Sequence, residues 1–224
     1  MAFADLAAAA RSAAASRQRS TPLRELRERT RSAPTAREVV SALRAPGRVV
    51  SVIAEVKRAT ATFADLSGVG DVAVLARFYE AGGAACVSVV TEPIRSHGRL
   101  ADLDAVRGAV DVPVLANDVV VTPYQVHEAR AHGADMLVLD ARLAPLVLES
   151  LIERTHSLGM TAVVEAHSRS EALSAVAAGA RYVSVDARDP DTRTIDQSRF
   201  EQVAEVLPAS VTRMATGGVS GPHD

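Results

Sequence analysis

Tryptophan is absent from this chain, and aromatic residues make up only 3% of it. Stacking platforms for nucleic-acid bases are therefore not expected. The formal net charge is only −2, which leaves no electrostatic footprint for a nucleic acid or an anionic membrane. No apolar run approaches the length that spans a bilayer. Cysteine occurs once, as Cys86 inside the apolar run Ala84-Ala85-Cys86-Val87-Ser88-Val89-Val90. No disulfide within the chain is possible, and a reduced, cytoplasmic protein with a core cysteine is expected. The Ala-rich start, Leu6 to Ala15, lacks the basic opening and apolar centre of a targeting signal, so it reads as an exposed amphipathic helix.

What the chain does have is a rhythm. After a polar, helical opening of about 45 residues, Pro46-Gly47 breaks the chain. Within that opening Pro34 can begin a helix, and Ala36 to Ala45 has helical spacing. Apolar runs then recur at 49–54, 84–90, 112–116, 135–139, 161–165, 181–185 and 211–215. Between them lie helical patterns at 71–81, 100–109, 123–132, 145–158, 170–178 and 197–207. Three helix-to-strand turns carry glycine: Gly82-Gly83, Gly133 and Gly179. Near-continuous Val/Leu/Ile strands alternating with helices imply a parallel sheet covered on its faces.

The expected fold is therefore α/β, a (β/α)8 TIM barrel (residues 46–224) preceded by an N-terminal helical extension (residues 1–45). A flavodoxin-like sheet would need fewer strands, and no G-x-G-x-x-G follows the first strand. Only seven strand patterns occur before Asp224, so the last βα unit is not accounted for. A shortened chain, an open barrel or completion by a second copy would each explain this, and self-association belongs to the last of these.

In such barrels chemistry gathers at the C-terminal strand ends. Those positions carry Glu55 and Lys57, Thr91-Glu92, Asn117-Asp118, Asp140, Glu165 and His167, Asp186 and Arg188, and Thr216-Gly217. Glu55 and Lys57 are two apart, so they face the same space, as a structural ion pair or as working groups. The six histidines show no metal spacing with carboxylates, and no metal is expected from them. His167 reads as a solvated loop residue rather than a proton carrier. Asp118, Asp140 and Asp186 with Glu165 could suit a divalent cation, but Lys57 and Arg188 are placed to neutralise them. Gly217-Gly218 with Ser220-Gly221 has the make-up of a phosphate nest.

Several segments carry a family likeness: Ile53-Ala54-Glu55-Val56-Lys57-Arg58, Tyr79-Glu80-Ala81-Gly82-Gly83-Ala84-Ala85, Ser88-Val89-Val90-Thr91-Glu92-Pro93, Leu158 to Glu165, and Arg188-Asp189. From about residue 20 to residue 224 the chain resembles indole-3-glycerol phosphate synthase, the ring-closing carboxy-lyase of tryptophan biosynthesis. The resemblance implies a phosphorylated, anionic small-molecule substrate and no cofactor. It implies Lys57 as an acid, Glu55 as its orienting partner and Glu165 as the carboxylate that handles protons. It also implies Arg188 at the substrate carboxylate, and Thr60 and Gly218 at the phosphate.

Departures from the family pattern cluster on the substrate side. The family's third strand has a general-acid lysine where this chain has Asn117, whose amide cannot donate a proton in the relevant range. The sixth-strand Asn is Asp186, and the seventh-strand Glu-Ser pair is Thr216-Gly217. The aromatics expected after the second and third strands are Ser96 and Val119, and Asp140 stands at a usually apolar position. A changed pocket on a retained scaffold reads as a re-tooled lyase. The other reading is a catalytically inactive family member that acts through a partner.

Overall fold

The structure is a computed structural model that describes residues 2–44, 47, 50–59, 70–189, 192, 194–219 and 221. Seven strands form one parallel sheet in chain order: β1 (Ile53–Val56), β2 (Cys86–Val90), β3 (Val114–Asn117), β4 (Met136–Asp140), β5 (Thr161–Ala166), β6 (Tyr182–Asp186) and β7 (Thr212–Thr216). Three helices precede β1: α1 (Phe3–Ser20), α2 (Leu23–Ser32) and α3 (Val39–Leu43). The crossovers are α4 (Val72–Ala81), α5 (Leu100–Arg107), α6 (Pro123–Ala131), α7 (Pro145–Ser157), α8 (Arg169–Ala177) and α9 (Ser198–Ala204). The arrangement is a curled, TIM-barrel-like sheet with alternating helices.

Period-two alternation sorts the strand residues into two cores. Val87, Val89, Val114, Ala116, Leu137, Leu139, Ala162, Val164, Val183 and Val185 pack outward with Leu103, Val106, Leu148, Leu151 and Ile152 of the helices. The opposite parity builds a smaller inner cluster of Cys86, Leu115, Met136, Val138 and Val163, joined by Val39 of α3. Burial pushes the Cys86 thiol up to about 12, as suits an inert core cysteine. Following the inner parity to the C-terminal ends gives Glu55, Asn117, Asp140, Glu165, Asp186 and Thr216. The functional ring is thus the polar continuation of the inner apolar face. Register reinforces it, with Asp140 beside Glu165 and Asp186 beside Thr216.

The crossover helices match the expected ones to within a few residues, and Gly83, Gly133 and Gly179 end helices at positive φ. Three expectations need correction. The first strand starts at Ile53, and Val50 and Val52 of the run expected over 49–54 are 76% and 58% exposed, while residue 49 lies outside the described residues. As an edge strand, β1 pairs only with β2, so the start of its apolar run gains no second neighbour. The helix expected over 36–45 is the short α3, because tertiary hydrogen bonds hold residues 33–38 out of helix. The backbone N–H of Arg37 donates to Asp135, its guanidinium donates to the Val112 carbonyl, and Arg130 donates to the Pro34 carbonyl. Glu38 then caps α3 by accepting from Val40 and Ser41. The opening helix is also less exposed than expected: α1 buries Leu6 and Ala14, and Arg17 grips Glu128 through two bonds of 2.7 Å. No helix among the described residues is long and apolar enough to cross a membrane.

Candidate active site

A cavity of about 390 Å³ opens at the C-terminal strand ends. Its lining includes Glu55, Lys57, Asn117, Glu165, Asp186, Arg188 and Gly217, so seven of the nine expected site residues converge on one space. Thr60 lies outside the described residues. Gly218 adjoins Gly217; both hold positive φ, at 77° and 64°. A side chain on Gly217 would run into the Asp186 carboxylate, so glycine is required for that close approach.

The β1 side of the cavity is fully paired. Lys57 Nζ donates to Glu55 Oε1 at 2.7 Å, and Asn117 Nδ2 donates to the other carboxylate oxygen at 3.1 Å. Ser88 Oγ reaches that same oxygen at 3.4 Å. Glu55 thus holds three donors from β1, β2 and β3 at their shared end. Lys57 retains 39% side-chain exposure, so the pair faces the cavity and is not sealed in the core.

The β5–β6 side differs. Glu165 has no hydrogen-bonded partner among the described residues, and its carboxyl is pushed up to about 7 by burial and by the charge of Asp186. His167 is buried at 7% exposure, which corrects the expectation of a solvated loop residue. The reason lies in α8: Glu171 accepts the His167 backbone N–H at 2.7 Å and faces its Nδ1 at 3.2 Å, folding the ring back under the rim. Burial alone would lower the His167 pKa, but the Glu171 hydrogen bond and the Glu165 charge outweigh it and raise it. His167 Nε2 then points between Glu165 Oε1 at 3.8 Å and Asp186 Oδ2 at 3.9 Å.

Other strand-end acids have structural duties. Glu92 is buried and accepts the backbone N–H groups of Ile94, Arg95 and Ser96, which fixes the loop after β2. Asp118 accepts from Thr91 Oγ1 at 2.9 Å and from the Val119 amide at 2.7 Å. Asp140 is clamped by Arg142 at 2.5 and 2.9 Å. The four-carboxylate ring considered from sequence therefore does not assemble; Glu165 and Asp186 meet His167 instead.

Arg142, Phe3 and Leu6 also line the cavity and were not legible as site residues. Arg142 stacks over the Phe3 ring at 4.2 Å, which ties the start of α1 to the rim. One signal could have found Arg142. An acid at a strand end followed two residues later by a base recurs in Glu55-Val56-Lys57, Asp140-Ala141-Arg142, Glu165-Ala166-His167 and Asp186-Ala187-Arg188. Nothing comparable marks Phe3 or Leu6.

Two structural likenesses agree on the fold. An N-acetylmannosamine-6-phosphate 2-epimerase from Clostridium perfringens superposes at a TM-score of 0.56 and 18% identity, over 67% of this chain and 70% of its own. A thiamine phosphate pyrophosphorylase from Pyrococcus furiosus gives 0.51 and 21%, over 66% and 69%. Sequence relatives are much nearer. Indole-3-glycerol phosphate synthase of Mycobacterium sp. strain KMS is 52% identical over 211 residues, 94% of this chain and 77% of the relative. The protein of that name from Beutenbergia cavernae is 50% identical over 221 residues, 98% of this chain and 82% of the relative. With the indole-3-glycerol phosphate synthase family profile matching residues 4–224, the chain belongs to that family.

Proposed function

We propose that the protein is a carbon–carbon lyase of the indole-3-glycerol phosphate synthase type with an altered pocket. Its substrate would be 1-(2-carboxyphenylamino)-1-deoxyribulose 5-phosphate or a related phosphorylated anion. The observation that carries this reading is the pairing of unlike groups across one cavity, a Lys57–Glu55 ion pair facing a Glu165 carboxyl poised near 7. Ring closure needs an acid at the ketone oxygen, departure of CO₂ from the aromatic ring, and loss of the former ketone oxygen as water. Lys57 is the donor on the first face, with Glu55 holding it by charge and geometry. A carboxyl that titrates near neutrality can both take and return a proton, which suits Glu165 for the dehydration.

Arg188 lines the cavity, and a guanidinium matches a substrate carboxylate bidentately. Gly217 and Gly218, with Thr60, supply the phosphate end, and Asn117 and Asp186 face the substrate between the two ends. The same positions motivate the second reading. Asn117 is spent on Glu55 and carries no transferable proton, so a family member that has lost turnover and acts through a partner, such as a second copy, is the competing account. Incubating the protein with the carboxyphenylamino substrate and following indole fluorescence separates the two. Product formation that depends on Lys57 supports the lyase, and none at high enzyme concentration with folded protein favours the inactive member.

A further inference from the structure

We propose that Glu165, His167 and Asp186 form a binding site for one divalent transition-metal ion of the zinc or cobalt class. One ligand atom from each residue lies within 4.8 Å of the other two. The His167 Nε2 separations of 3.8 and 3.9 Å are too long for hydrogen bonds. They lie close to the spacing of neighbouring ligands around one ion, since metal–ligand distances of about 2.0–2.2 Å in a tetrahedron put ligand atoms roughly 3.3–3.6 Å apart. Shifts of a few tenths of an ångström would bring Nε2 to that spacing from both carboxylates.

A second observation points the same way. The His167 side chain is only 6% exposed, yet its Nε2 makes no hydrogen bond among the described residues and is aimed between the two carboxylates. The nitrogen therefore meets two carboxylates at ion-pair range without a direct hydrogen bond to either, which leaves room for an ion between them. The opposite nitrogen faces Glu171 at 3.2 Å, and the same carboxylate pins the His167 backbone N–H at 2.7 Å. A carboxylate behind a histidine fixes the ring, and once Nε2 gives up its proton its lone pair points at the incoming ion, the arrangement that supports metal-bound histidines. Asp186 is likewise oriented, because its Oδ1 accepts the Arg188 backbone N–H at 2.8 Å while Oδ2 faces His167.

The three ligands stand at the ends of adjacent strands, β5 and β6, which is a rigid mount. One imidazole and two carboxylates suit borderline ions better than magnesium or calcium, which prefer all-oxygen sets. Nearby Arg142 is held by Asp140 and does not fill the triad. Three protein ligands leave a position open toward the cavity, where water or a substrate oxygen could enter. This inference is independent of the lyase reading, and an ion held by Glu165 would withdraw that carboxyl from proton transfer.

The test uses the full chain stripped with a chelator and titrated with Co²⁺, read by its visible absorption, and with Zn²⁺ by calorimetry. One ion per chain is expected. Asp186→Asn and His167→Ala should weaken binding by at least about 100-fold, and Glu171→Gln by roughly 10–100-fold through the ring it supports. Should His167→Ala fail to fold, the isosteric Asp186→Asn carries the test. Absence of binding, or binding as tight in Asp186→Asn as in the parent, would overturn the site. No substrate is present, so the outcome stands apart from indole formation: a protein that turns over without taking metal sinks only the metal site.

Discussion

Two acids on neighbouring strands have opposite surroundings. Asp135, just before β4, is fully buried and accepts from the Arg37 backbone at 2.7 Å, the Arg107 guanidinium at 2.5 Å and the Val114 amide at 2.9 Å. Glu165, at the far end of β5, has no hydrogen-bond donor among the described residues and faces a second carboxylate, Asp186. Where the fold uses a charge as structure, it satisfies that charge completely. At the cavity it leaves one under-compensated, and the carboxyl responds by holding its proton to about 7.

The largest effect should come from the satisfied acid. Asp135→Ala strands the Arg107 guanidinium and two backbone donors, and is expected to cost about 3–5 kcal/mol of stability in urea or thermal melts. Glu165→Gln should instead leave stability unchanged or raised while indole formation falls by about 10²–10⁴. Equal destabilisation by the two substitutions would break the contrast.

That contrast was only half legible in the sequence. Period-two patterning and the βα rhythm placed Glu55, Asn117, Glu165 and Asp186 on one rim, because strand geometry fixes which residues share a face. Partnership depends on tertiary neighbours that no local pattern encodes. Asp135 reads only as the polar start of the apolar run 135–139 until Arg37, 98 positions away, donates to it. His167 reads as a loop residue because its burial is created by Glu171 at the start of α8. Phe3 reaches the cavity only because α1 lies against the rim, which local composition does not dictate.

On the compensated side of the cavity, Asn117→Lys probes whether closure around Glu55 is what limits turnover. A lysine there would place a second ammonium beside the Glu55–Lys57 pair and restore a transferable proton on β3. Indole formation is expected to rise by about 10² or more, at the level attributed to one positioned general acid. Unchanged turnover in folded protein would mean that the acid at this position is not what the chain lacks.

The smallest effect is a shift in pH dependence, measured with chelator present so that protons alone are read. Glu165 holds its proton to about 7 in the fold, against 4.5 for an ordinary glutamate. Its protonated form is the one the fold favours. Its contribution to stability is therefore complete below about 4.5 and is lost as the pH rises through about 7. His167, also raised, loses its contribution on the same upward side. Glu165→Gln should flatten urea stability across that window and leave only the His167 component. Asp186→Asn removes the neighbouring charge that adds to burial, so the Glu165 transition should move to lower pH without vanishing. A transition that stays in place in Asp186→Asn would assign the raised carboxyl to burial alone, and Asp186 would then be a neighbour that Glu165 does not feel.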